Sequence, residues 1–262
     1  MLNLIIDLGA HDGADLPYYL GQAKRVIAVE PIPTLAADIR SCFSAEIEAG
    51  RLVLVERVIQ IAESDAEDIA FLIDPLKPEW SHIATKEEEH AGGSSVVRIK
   101  SVLLEQLFRE FGVPEYLKMD LEGYDKHIVN WLCDCQRYWP LELSFERVPT
   151  MILERLLATS PYKYFNIVSF YNQQKVFRNK TITQGAGPFG SDIRSPWMNR
   201  NDFRGAYKKM PYSWFDIHAV KELPTGSELG PPDMNLYRIP LLLRLKTWLW
   251  RARERLLSRP IG

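Results

Sequence analysis

A doubly wound α/β fold with a mostly parallel sheet follows from three features of this sequence. Short apolar runs end in carboxylates, helical stretches separate them, and a glycine turn follows the first run directly. Leu4-Ile5-Ile6, closed by Asp7-Leu8-Gly9, suits a parallel strand buried on both faces and then a turn. Residues 13–23 follow as a helix. Arg25 to Glu30 forms the next buried strand, closed by Pro31-Ile32-Pro33, and the helical stretch 34–48 comes after it. Leu52-Val53-Leu54-Val55 continues the rhythm, which argues for parallel strands joined by right-handed crossovers.

Between Asp74 and Ser95 the alternation gives way to prolines, Trp80, two adjacent glycines and the run Lys86-Glu87-Glu88-Glu89. This reads as an insertion or lid over about 74–97, with the charge run as a solvated turn of helix. Val102, Leu103, Leu107 and Phe111 then share a helical face. Tyr116 to Asp120 reads as a strand, and Ile128, Val129, Leu132 and Cys133 mark a helix. Leu141 to Glu146 alternates as a half-buried strand does. Residues 149–159 form a further helix, and 164–170 with 174–178 form an antiparallel pair around Tyr171-Asn172-Gln173. The stretch 185–237, rich in glycine, proline and aromatic residues, shows no regular period, and its aromatics imply packing onto a domain.

Composition narrows the function. A hydrophobic fraction of 46% is that of a folded globular chain, and a formal net charge of -2 gives no basic field to gather nucleic acid. Cys42, Cys133 and Cys135 lack the spacing of a zinc site or a disulfide framework, so reduced thiols are expected. The N-terminus has no basic region or small-residue cleavage site, and no run approaches the ~20 apolar residues of a membrane span. A cytoplasmic protein is expected.

Three constellations carry chemistry. In Asp7-Leu8-Gly9-Ala10-His11-Asp12-Gly13 a strand end runs into a helix through two glycines, which permit positive φ and close ligand approach, and the helix start offers N–H groups to an anionic part of a ligand. The spacing is Gly-x-x-x-Gly, which differs from G-x-G-x-x-G and lacks a phosphate-loop lysine. Glu30 ends the second strand about twenty residues on, where an acid can accept both ribose hydroxyls. Lys118-Met119-Asp120-Leu121-Glu122-Gly123 places two carboxylates beyond a strand's carboxyl end; either they face a ligand there or they cap the helix near Tyr124.

These segments, with Val29-Glu30-Pro31 and Leu143-Ser144-Phe145-Glu146, resemble the FkbM-type methyltransferases through about residue 180, and Gly187-Pro188-Phe189-Gly190 and Trp214-Phe215-Asp216-Ile217-His218 do so more weakly. The resemblance implies a Rossmann-like class I methyltransferase domain over 1–184, with seven strands and the last antiparallel. It implies S-adenosylmethionine as cofactor and methylation of a hydroxyl on a sugar, glycan or natural product. By that likeness Asp7, Gly9, Ala10, His11 and Gly13 frame the cofactor, Glu30 holds its ribose with Pro31 beside it among the cofactor-binding residues, and Asp120, Glu122 and Glu146 line the reaction end, Asp120 also touching the cofactor. Ile61 and Ala62 fall on the adenine side, although Gln60 to Asp65 departs from the family pattern.

Methyl transfer from a sulfonium is an in-line displacement, so holding acceptor oxygen, methyl and sulfur collinear does most of the work. A hydroxyl acceptor also needs a base, for which Asp120 or Glu146 is favoured over Glu122, His11 and His127. No resident metal is assigned; a divalent cation on the clustered carboxylates is the alternative. A nicotinamide-dependent oxidoreductase and a non-catalytic S-adenosylmethionine-binding module are the rival functions. Residues 238–262 contain a basic amphipathic helix, with Leu241, Leu245, Trp248, Leu249, Ala252 and Leu256 on one side and Arg244, Arg251 and Arg255 beside it. Over 241–257 it would dock on the domain, form a homodimer seam or lie on a membrane surface.

Overall fold

The computed structural model describes residues 1–62, 68–91, 95–169, 187–210 and 215–231. The expected strand 174–178, the partner of 164–170, and the helix over 238–262 lie outside the described residues. The chain divides into two compact units, Met1–Tyr162 and Lys163–Gly262.

In the first unit the chain runs β1 (Leu2–Leu8), α1 (Leu16–Gln22), β2 (Ala23–Val29), α2 (Pro33–Cys42), α3 (Ser44–Glu48) and β3 (Leu52–Val55). It continues through β4 (Val58–Gln60), β5 (Asp68–Leu72), β6 (His82–Ile83), α4 (Lys86–Ala91), β7 (Val96–Leu103), α5 (Leu104–Phe111) and β8 (Tyr116–Met119). α6 (Asp125–Cys135), β9 (Glu142–Glu146) and α7 (Thr150–Thr159) complete it. The five strands β9-β8-β1-β2-β3 lie side by side in that order, all parallel. Ile5, Ile6 and Leu8 are wholly buried, as the continuous apolar run requires of a central strand.

Register decides where the chemistry sits. Leu8 pairs with Val29 on one side and Met119 on the other, and Lys118 pairs with Ser144. Gly9, Glu30, Asp120 and Glu146 therefore all fall at one edge, the carboxyl end of the parallel strands, where open α/β sheets hold ligands.

Three elements differ from expectation. The single helix over 34–48 is two, α2 and α3, broken at Phe43 (φ -118°, ψ 29°). Val102 and Leu103 belong to β7, which passes into α5 without a loop, so the apparent helical face spanned two elements. β9 is not half-buried: Glu142, Leu143, Ser144 and Phe145 are all enclosed, because β9 is covered on both faces.

The segment expected as a lid is part of a second, small sheet of order β4-β7-β5-β6, with Ile32, Val58, Phe71 and Ile99 as its core. The acidic run forms α4 as expected. Thr85 and Glu88 close a capping box, Thr85 N–H donating to Glu88 Oε2 at 2.8 Å and Glu88 N–H to Thr85 Oγ1 at 3.3 Å.

The second unit holds β10 (Tyr164–Ser169), β11 (Met198–Asn199), α8 (Arg200–Lys209) and β12 (Phe215–Val220). Both β11 and β12 pair antiparallel with β10. Residues 185–237 are thus not irregular throughout, since α8 and β12 fall inside them. Val168, Ile193, Trp197 and Val220 form one core, and Phe165 stacks on Phe203 of α8 with ring centroids 4.8 Å apart. Among the described residues no helix is long and apolar enough to cross a membrane, and Cys42, Cys133 and Cys135 are free thiols.

Candidate active site

The glycine turn is built from both glycines. Gly9 has φ +84°, and a Cβ on it would stand 2.0 Å from the Asp120 carbonyl oxygen. Only glycine lets the end of β1 lie against the residue that follows β8. Gly13 has φ +76°, and a Cβ there would press on Leu16, Ile39 and Phe43 at 3.1–3.2 Å. Ala10 is buried, while His11 has φ +51° and a half-exposed ring 3.5 Å from Asp12 Oδ1.

The turn differs from expectation in where its amides point. Gly9 and Ala10 N–H both donate to Val29 O at 3.0 Å, Gly13 N–H to Ala10 O at 2.9 Å and Leu16 N–H to Gly13 O at 3.0 Å. Ala14 N–H donates to Asp12 Oδ1 at 3.0 Å. The head of α1 is largely satisfied from within, so these amides are not an open anion cradle.

Glu30 is where the pattern placed it and is 3% exposed. Its Oε2 accepts from His11 N–H and its Oε1 from Ile32 N–H, both at 2.8 Å. One carboxylate thus pins the glycine turn and the start of α2 while each oxygen keeps a further lone pair. Pro31 beside it is partly buried. Burial pushes the Glu30 carboxyl up to about 7 against the pull of the Ile32 and His11 amides. Asp7 is sealed from solvent, 3.4 Å from the Lys118 ammonium; burial raises it to about 7, with Lys118 opposing.

Beyond β8 and β9, Asp120, Glu122 and Glu146 bring carboxylate oxygens within 4.8 Å of one another. The three predicted carboxylates are therefore together, in a set that could hold a cation. Glu122 sits in the left-handed region at φ +49°. Crowding by protein atoms, then the charges of Asp120, Asp125 and Glu79, push its carboxyl up to about 8. Its side chain reaches water, which screens part of that rise. Neither Asp120 nor Glu122 caps α6: the cap residue Tyr124 makes no side-chain cap bond.

Asp125 was not singled out in the sequence. It is 1% exposed, accepts from Leu121 N–H at 3.1 Å through Oδ2, and is raised by burial to about 6, with the Glu146 amide among the groups opposing that rise. It ties the turn after β8 to the end of β9. Of the adenine-side residues, Ile61 is half-buried and its backbone bonds the Tyr124 hydroxyl, while Ala62 is exposed. His127 is exposed on α6 against the Tyr124 ring, outside the acidic cluster.

Asp7, Glu30 and Asp125 hold protons more tightly folded than unfolded, from ordinary values of 3.8, 4.5 and 3.8. Between about pH 4 and 7 the folded state therefore binds more protons, and stability falls as pH rises through that window. The thermal midpoint of the ligand-free protein is expected to drop by at least about 5 °C from pH 5 to pH 8, at roughly 2–4 °C per kcal/mol for a chain of this size. Glu30→Gln should flatten part of the slope. A midpoint that rises over this range in both proteins would contradict the raised carboxyls.

A parallel sheet whose carboxyl edge carries a glycine turn, a strand-terminal acid and an acidic cluster defines a nucleoside-cofactor enzyme of the α/β class. The family described as the methyltransferase FkbM domain matches residues 7–156, and the chain belongs to that family. Its cofactor is S-adenosylmethionine, and it is a methyltransferase; the oxidoreductase reading falls. An rRNA methylase from Streptococcus thermophilus is similar in structure at 9% identity and a TM-score of 0.39, over 84% of this chain and 86% of that one. Precorrin-6y C5,15-methyltransferase from Geobacter metallireducens is similar at 11% identity and 0.36, over 84% and 80%. No curated protein is significantly similar in sequence. The residues present fit the cofactor: Glu30 retains acceptor capacity for a ribose, and the carboxylates beyond β8 suit a cationic ligand.

Proposed function

We propose that the protein transfers the methyl group to a hydroxyl of a sugar, glycan or natural product, with a carboxylate of the acidic cluster as base. The observation that carries this reading is the convergence of Asp120, Glu122 and Glu146 at the edge that also holds Gly9 and Glu30. When bound, S-adenosylmethionine supplies an electrophilic methyl on sulfur. Glu30 accepts the ribose hydroxyls through its remaining lone pairs, and the turn from Asp7 to Gly13 sets how closely the nucleoside approaches. Glu122 takes the acceptor proton, since a base works best with an affinity near the operating pH, and Asp120 is already engaged with Lys118 at 3.5 Å. Glu146 orients the acceptor hydroxyl from the end of β9. The antiparallel pairing of β12 with β10 supports the antiparallel closing strand of the class I arrangement.

Calorimetry with S-adenosylhomocysteine, then a tritiated-methyl screen over glycans and hydroxylated small molecules with and without excess chelator, tests the proposal. Binding, transfer to oxygen and an undiminished rate in chelator are expected. Binding without transfer to any acceptor would leave a non-catalytic module. A rate lost in chelator and restored by magnesium would favour a cation-assisted route, for which the 4.8 Å cluster is the supporting observation.

A further inference from the structure

Lys118 has no task in the proposed reaction, yet it is a buried cation with three carboxylates around its ammonium. Its side chain is 6% exposed, and its ammonium lies 3.4 Å from Asp7 Oδ1, 3.5 Å from Asp120 Oδ2 and 3.9 Å from Asp15 Oδ2. The three carboxylates come from the end of β1, the approach to α1 and the residue after β8. Enclosing an ammonium costs several kcal/mol unless it is well paired, and an apolar side chain of similar length would fill the space without that cost.

The backbone does not need this cation to hold β1 against β8. Leu8 pairs with Met119, Asp120 N–H donates to Leu8 O at 3.0 Å, and Gly9 abuts the Asp120 carbonyl. What the ladder leaves unfixed is the Asp120 side chain, which is 31% exposed where Asp7 is 1% exposed. A half-exposed aspartate beside other carboxylates would turn toward water; the ammonium holds it back.

We infer that Lys118 is a positioning residue for the cofactor: by tying Asp7, Asp15 and Asp120 into one charge-paired unit, it fixes the Asp120 carboxylate in the orientation that meets the cofactor's cationic end. The inference rests on the methyltransferase reading and on contact between Asp120 and the cofactor.

The test compares the wild-type protein with Lys118→Met, Lys118→Arg, Asp120→Asn and the Asp120→Asn/Lys118→Met double variant. S-adenosylmethionine affinity is measured by calorimetry well below each thermal midpoint. Lys118→Met is expected to weaken binding about tenfold or more, the scale of a misplaced contact group. Lys118→Arg, which keeps the charge, should stay within about threefold, and the double variant should bind no worse than Asp120→Asn alone, because the two changes act through one contact. A folded Lys118→Met with wild-type affinity, Lys118→Arg as weak as Lys118→Met, or full additivity in the double variant would each overturn the inference. Should Lys118→Met fail to fold, Lys118→Gln, which keeps a polar side chain without the charge, takes its place in both the single and the double variant. A wild-type protein that binds no S-adenosylmethionine fails the cofactor reading itself, a result distinct from any of these.

Discussion

Gly9→Ala is expected to abolish cofactor binding and to cost at least about 3 kcal/mol of stability, within the range of changes that strain a special backbone position. Two penalties coincide. The left-handed conformation at φ +84° costs a residue with a Cβ roughly 1–2 kcal/mol. The added methyl would also stand 2.0 Å from the Asp120 carbonyl oxygen, a backbone atom that cannot rotate away. Relief requires the ends of β1 and β8 to part, which breaks the Asp120 N–H to Leu8 O bond and carries Asp120 away from Glu30. Gly21→Ala is the control: that glycine lies in α1 with open space around it, so alanine should be neutral or stabilise by about 0.5–1 kcal/mol. Calorimetry with S-adenosylhomocysteine and chemical denaturation check both variants. A Gly9→Ala protein that binds like the wild type would remove the close approach as the reason for glycine.

What could be read from the sequence is what the backbone and one residue type encode locally. Ile5 and Ile6 announce a strand covered on both faces, Gly9 and Gly13 announce positive φ, and the acids at strand ends fall on one edge because parallel strands in register must end together. The small sheet was not legible. β4 and β6 are three and two residues long, too short for a period of two to show. β12 was hidden by Asp216 and His218, polar residues inside a strand buried at every position. α8 buries only Phe203, Ala206 and Tyr207 among mostly polar neighbours, so its helical stripe is thin. In the site, the residues missed are Lys118 and Asp125, and the reason is the same for both. Both stand in or beside the acidic string after β8, yet their roles depend on partners distant in sequence: Lys118 acts through Asp7 on another strand, and Asp125 through the end of β9. The inward-turned amides of Gly9 and Ala10 were illegible for a related reason, since their acceptor is the Val29 carbonyl across the ladder.

Glu122→Gln is expected to lower kcat roughly 10²–10⁴-fold while S-adenosylhomocysteine affinity stays within about threefold, the pattern of losing a proton acceptor rather than a binding contact. The pH dependence gives the sign. A base must be unprotonated to act, and Glu122 is held up to about 8, first by the protein atoms around it and then by Asp120, Asp125 and Glu79. The wild-type rate with an acceptor from the methyl screen should therefore rise with pH above the ordinary carboxylate range and be level by about 8. Glu79→Gln removes one of the raising charges from the segment before β6, so the rising limb should move to lower pH with little loss of maximal rate. That shift separates Glu122 from its neighbours, because Glu79 is among the causes that raise Glu122 and not among those that raise Asp7, Glu30 or Asp125. Full activity in Glu122→Gln would transfer the proton-accepting role to Glu146, the remaining member of the cluster without the Lys118 ammonium beside it.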